Sequence, residues 1–96
     1  MYYGFVVDGF VAFADLAGVG RREEKDSARL TAFGNRVRRL REERGMTQEK
    51  LAESADLHRA EVGFVERAER EVGVTLAWPL ADGLGVTLAE LVEPLI

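Results

Sequence analysis

The sequence predicts an all-α domain preceded by an apolar N-terminal arm. Three observations predict it. The stretch Thr47–Arg67, TQEKLAESADLHRAEVGFVER, reads as two short helices, Thr47–Ser54 and His58–Glu66. The link Ala55-Asp56-Leu57 is too short for anything but a sharp change of direction. Two helices joined in this way form a helix-turn-helix, whose second helix can enter a DNA major groove. Phe33, Val37, Leu40 and Arg44 recur at helical spacing upstream of it. Helix stop and start residues then follow in order: Gly45, Thr47, Gly73, Gly85, and Thr87 with Glu90.

Residues 1–20, MYYGFVVDGFVAFADLAGVG, are apolar but are broken by Asp8, Asp15 and four glycines. A signal peptide would need a basic start, which is lacking, and a membrane span would need a longer uninterrupted run. Asp8-Gly9 between Val6-Val7 and Phe10-Val11 is a hairpin signal. The turn would pair Val7 with Phe10 and Phe5 with Ala12. The rival reading is a short amphipathic or irregular arm. Arg21–Ser27, RREEKDS, is a charged connector, either a solvated link or the first turn of helix 1. The division expected is therefore 1–30 for arm and connector, and 31–96 for the helical domain.

Within the domain, helix 1 ends at Gly45. Thr47 caps helix 2, which buries Leu51 and Ala52. Lys50 stands where a capping box wants Glu or Gln, so that cap is half built. Asp56 occupies the turn position that calls for a left-handed residue, a conformation Gly adopts at least cost. Helix 3 buries Val62 and Val65. Gly73 caps helix 4, with Val74, Ala77, Ala81 and Leu84 along one face. Pro79 either kinks that helix at a cost of roughly 3 kcal/mol, or sits in the first turn of a helix that starts late. Thr87 and Glu90 form a full capping box for helix 5, VTLAELVEPL, which stops near Pro94.

Composition narrows the function classes. The 96 residues carry a net charge of −4, 47% apolar residues and no Cys. Disulfides and thiolate metal sites are excluded, and a reducing cytosol is compatible. The net charge argues weakly against nucleic acid, but DNA binding depends on local charge. Arg36, Arg38, Arg39, Arg41 and Arg44 crowd one stretch, whereas Glu71, Asp82, Glu90 and Glu93 are unopposed after residue 70. His58 is the only histidine, so neither a histidine metal cluster nor a catalytic triad is expected. With no thiol nucleophile and no carboxylate pair outside the charged helix faces, an enzyme is not expected, and neither is a cofactor, a metal or a small-molecule ligand.

From about Phe33 to Leu95 the chain resembles the phage-repressor/Cro family, also called XRE-like. The residues that carry the resemblance are RVRRLREERGMTQEKLAESADLHRAEVGFVERAER, followed by LADGLGVTLAELVEPL. The resemblance implies a five-helix, lambda-repressor-like DNA-binding domain and a cytoplasmic regulator. It further implies that double-stranded DNA is the ligand and that a homodimer sits on a two-fold operator. It also implies roles for individual residues. Gln48 would hold a phosphate at the start of helix 2, where free N–H groups favour anions. His58 and Arg67 would reach phosphate, and Arg59, Ala60, Glu61 and Phe64 would face base edges. Arg41 and Glu66 match a structural ion pair that ties helix 1 to helix 3, and Arg41 counts with these residues as part of the DNA-binding set. Asp56 and Ala68 stand where relatives carry Gly, and Gly63 and Pro79 depart from the pattern.

The chemistry of the reading face is mixed. Arg59 can donate two hydrogen bonds to guanine, Ala60 can meet a thymine methyl, and Glu61 can accept from cytosine. Phe64 offers only apolar contact. Plainer readings stand beside these: His58 as a solvated turn residue, Phe64 and Trp78 as packing residues, and the helix 1 arginines other than Arg41 as a solvated face. Leu88, Leu91, Val92, Leu95 and Ile96 either form a dimer surface or close the core. The function expected is a sequence-specific transcriptional regulator of the repressor type. The alternative is a protein-interaction module, such as an antitoxin or a dimerisation adaptor, on the same fold.

Overall fold

The computed structural model describes the backbone of residues 9–96 and the side chains from residue 21 onward. Five α-helices follow one another: α1 (Gly9–Glu43), α2 (Gln48–Ala55), α3 (Arg59–Glu66), α4 (Val74–Leu84) and α5 (Leu88–Val92), with a 3-10 turn at Glu93–Leu95. No strand occurs among the described residues.

The N-terminal hairpin is corrected. Its first strand lies outside the described residues, but Phe10–Ala12, its return strand, is helical. A hairpin alone is marginal, and no strand among the described residues stands ready to support it. Ala12, Ala14, Leu16 and Ala17 favour helix, and no proline interrupts the run into the charged segment. There, Arg22 lies 3.8 Å and Arg29 3.2 Å from Asp26, one turn away on either side. Such pairs each add a few tenths of a kcal/mol to a helix. Arg21–Ser27 is accordingly a stretch of helix, not a link, and α1 passes residue 30 without a break over 35 residues.

The core is one cluster. Phe33, Val37 and Leu40 of α1 meet Leu51 and Ala52, Val62 and Val65, then Leu80, Ala81, Leu84 and Leu91. Two glycines set the closest approaches. A Cβ on Gly34 would lie 2.4 Å from the Val65 carbonyl oxygen, so α1 crosses α3 in backbone contact. A Cβ on Gly83 would lie 2.8 Å from that of Ala55, so α4 packs tightly on α2.

Four helices end in the same way. Gly45, Asp56, Ala68 and Gly85 all have positive φ, between 58° and 75°. Behind each of them the next residue donates to a carbonyl five positions back: Met46 to Arg41, Leu57 to Ala52, Glu69 to Phe64 and Val86 to Ala81, at 2.8–3.0 Å. This closure satisfies the last carbonyls of a helix and requires a left-handed residue. Two of the four positions therefore carry a Cβ in a conformation that costs it roughly 1–2 kcal/mol. The left-handed Asp56 agrees with the sequence reading.

Helix α4 begins at Val74 with Gly73 as cap, so Pro79 lies inside the helix and the late start does not occur. Val74 does not join the core face; it is 62% exposed, and Leu80 is fully buried in its stead. The Thr87 hydroxyl accepts from the Glu90 N–H at 3.0 Å, and Glu90 accepts from Thr87 at 2.8 Å, completing the expected box. Helix α5 is shorter than the sequence pattern suggested, because the chain tightens into the 3-10 turn that contains Pro94.

Candidate nucleic-acid interface

The second helix of the pair, α3, is held by one buried carboxylate. Glu66 is 3% exposed. Arg41 Nε donates to its Oε2 at 2.6 Å and Arg41 Nη2 to its Oε1 at 3.0 Å. Gln48 Nε2 donates to Oε1 at 3.0 Å, and Arg38 Nε approaches the same oxygen at 3.5 Å. Arg41 also donates to the Met46 carbonyl at 2.8 Å. Groups from α1, α2 and the α1–α2 loop thus meet at the C-terminal end of α3. Burial pushes the Glu66 carboxyl up, but the hydrogen bonds from Arg41, Gln48 and Arg38 outweigh it and hold the group below the usual range. The same bond raises the Arg41 guanidinium.

With its back so fixed, α3 turns a free face outward. Arg59, Ala60, Phe64 and Arg67 are exposed, and Glu61 is half-buried. His58, also exposed, caps α3, and its N–H donates to Glu61 Oε1 at 3.1 Å. Arg59 Nε lies 3.2 Å from Glu49 Oε2, which sets the start of α3 beside the first turn of α2. In that turn the Thr47 hydroxyl accepts from the Lys50 N–H at 3.0 Å, the half-built cap read from the sequence. The guanidinium of Arg67 lies 5.6 Å from the centre of the Phe64 ring and 3.1 Å from Glu69 Oε1. Arg70 lies 3.8 Å from Glu61.

The eight residues singled out in the sequence therefore fall into two groups. His58, Arg59, Ala60, Glu61, Phe64 and Arg67 line one outer face of α3. Arg41 and Gln48 lie behind it on Glu66, and Gln48 keeps a second amide N–H beyond the one given to Glu66. Two residues were missed. Arg38 joins Arg41 on Glu66, and their three-residue spacing on one helix carried that signal. Arg36 donates to the carbonyls of Leu91 at 3.3 Å and Glu90 at 2.8 Å, tying α1 to α5. Only their proximity in the fold reveals this, since 54 or 55 residues separate the partners.

The family described as Helix-turn-helix (HTH_3) matches residues 37–91, which span all of α2, α3 and α4 and most of α5. The chain belongs to that family. Its members of the XRE type are DNA-binding regulators of transcription, and this chain is of that class. It is 37% identical over 60 residues to the control protein C.MunI of Mycoplasma sp, covering 62% of this chain and 81% of that one. It is 37% identical over 62 residues to the control protein C.BamHI of Bacillus amyloliquefaciens, covering 64% of this chain and 76% of the other. Among solved structures it resembles the restriction-modification controller protein C.AhdI from Aeromonas hydrophila. The TM-score is 0.64 at 42% identity, over 67% of this chain and 97% of that one. It also resembles the controller C.Esp1396I, solved as a tetramer with its natural 35 base-pair operator, with a TM-score of 0.66 at 30% identity over 70% of this chain and 88% of that one. No described helix of this XRE-like protein is long and apolar enough to cross a membrane.

Proposed function

We propose that this protein is a sequence-specific, operator-binding repressor that acts as a homodimer on double-stranded DNA in the cytoplasm. The observation that carries the reading is the α2–α3 pair itself. One buried carboxylate fixes the angle between the two helices, while the outer face of α3 stays uncovered from His58 to Arg67. A helix held in this way presents a rigid edge to a major groove.

In this reading Arg59 reads guanine and Ala60 meets a thymine methyl. Glu61 accepts from cytosine, and Phe64 makes apolar contact. Gln48, His58 and Arg67 hold phosphates, and Gln48 does so with its remaining N–H at the helix N-terminus. Arg41 supports this face from behind through Glu66. The similarity to controllers, one of them solved on its operator, supports DNA as the ligand and an assembly of more than one copy. A bound dimer would place its two α3 helices about 34 Å apart, one turn of duplex.

A second reading rests on a specific observation. The cations of this face sit beside carboxylates: Arg59 by Glu49, Arg67 by Glu69 and Arg70 by Glu61. With Phe64 exposed among them, the face also suits a protein partner, as in an antitoxin. Salt separates the two, because DNA binding weakens steeply with salt in proportion to the phosphates neutralised. Arg59→Ala should cost on the order of 1–3 kcal/mol at the preferred site and relax specificity at one base position. Unchanged affinity and specificity in that variant would remove Arg59 from the reading face.

A further inference from the structure

A groove of about 760 Å³ runs along α1 from Arg22 to Phe33, closed on its other sides by the Glu71–Val74 segment and by α5 with its 3-10 turn. Its walls are apolar, among them Leu30, Phe33, Val72, Val92 and Leu95. Val74 at its edge is 62% exposed and Ile96 fully so. An apolar channel of this kind on a soluble domain calls for an occupant.

The chain carries a segment that suits it. Fourteen of residues 1–20 are apolar, and their only charges are Asp8 and Asp15. The groove's charged lining is balanced, Arg22 and Arg29 beside Asp26 and Glu71, so the apolar walls and not net charge select the occupant. The helical part of the arm from Phe10 to Gly20 rises about 15 Å, against about 17 Å for the wall from Arg22 to Phe33. The arm lies outside residues 37–91, which match the family, and 67% of the chain spans 97% of the controller C.AhdI.

The arm cannot lie in its own groove while α1 is one helix, because residues 9–20 continue the helix that forms the wall. They lead outward along its axis. The radius of gyration is accordingly 17.0 Å, where a compact chain of this length has about 12 Å.

We propose that the groove receives the N-terminal arm of a second copy of this chain, so that two copies exchange arms across a two-fold axis. The proposal rests on the homodimer reading and specifies its contact. Exchange buries both apolar arms and both grooves at once, as an isologous interface requires.

The absence of native cysteine makes the test direct. Leu16→Cys is placed in one full-length chain and Val92→Cys in another, and the two are mixed under mild oxidation. The expected product is a two-chain disulfide linking positions 16 and 92, in a yield about tenfold or more above that of Leu16→Cys mixed with the remote surface variant Glu53→Cys. With both cysteines in one chain at high dilution, a cross-link within that chain would overturn the exchange and return the arm to its own groove. No 16–92 link in a protein that sediments as a dimer would also overturn it, leaving the homodimer intact with a different contact. A monomer by sedimentation would remove the homodimer reading itself.

Discussion

Glu66→Gln is the perturbation that probes most directly how α3 is held. The substitution keeps the shape of the side chain but removes its charge, so the 2.6 Å and 3.0 Å bonds from Arg41 lose their ionic partner. Removing one member of a buried pair costs about 3–5 kcal/mol. Water partly reaches the Arg41 side chain, which is 13% exposed, so the lower end of that range, about 3 kcal/mol, is expected here. A domain of this length is stable by only about 5–14 kcal/mol. The midpoint of thermal unfolding should therefore fall by about 12–24 °C. Urea unfolding followed by circular dichroism at neutral pH measures the loss. A change below about 1 kcal/mol would mean that the pair behaves like an exposed one, and the account of Glu66 as the fixing group would fail. Replacing both partners, Arg41→Met with Glu66→Met, should recover part of the loss, because no buried charge is then left alone. The pH dependence follows in sign. The folded-state carboxyl lies below its ordinary value of 4.5, so the unfolded chain binds the proton more readily. Stability from this group is complete above the ordinary value and is lost as pH falls through the lower, folded one. Glu66→Gln should flatten that acid limb.

Two further outcomes follow from backbone geometry. Ala68→Gly relieves a left-handed Cβ at φ 58° and should stabilise by up to about 1 kcal/mol after the added freedom of the unfolded chain is counted; a stability loss in urea would contradict the shared closure of the four helix ends. Gly34→Ala forces a methyl group to 2.4 Å from the Val65 carbonyl oxygen, with backbone on both sides, and should cost more than about 1–3 kcal/mol or prevent folding. A soluble, equally stable variant would show that α1 and α3 are not in backbone contact.

Much of the domain was legible in the sequence because its signals are local. Thr47, Gly73, and Thr87 with Glu90 mark helix starts through hydrogen bonds within one turn, and Asp56 marks the α2–α3 corner through its own backbone. The outer face of α3 follows from helical spacing once Val62 and Val65 are taken as core. What the sequence hid depends on residues that meet only in the fold. Gln48 and Glu66 are 18 residues apart, and nothing local shows that one side chain will be committed to the other. Gly34 looks like a weak point in a helix until Val65 arrives opposite it. The hairpin misled for the converse reason: Asp8-Gly9 is a good turn signal over four residues, but it competes with a helix that is continuous for 35. Val74 has the spacing of the core face on α4 but is exposed at the first position of the helix, while Leu76 and Ala77 of the same turn meet the core. Arg59 and Gln48 entered as reading and phosphate residues through the family resemblance; geometry alone shows an exposed arginine beside Glu49 and an amide on Glu66.

The central claim is that the free face of α3 reads a two-fold DNA site. The direct measurement is selection from a randomised duplex library by the full-length protein at physiological salt. The account predicts recovery of a palindrome whose half-sites are centred about one helical turn apart, with affinity that falls steeply as salt rises. Recovery of no enriched sequence, with any residual binding indifferent to salt, would contradict it.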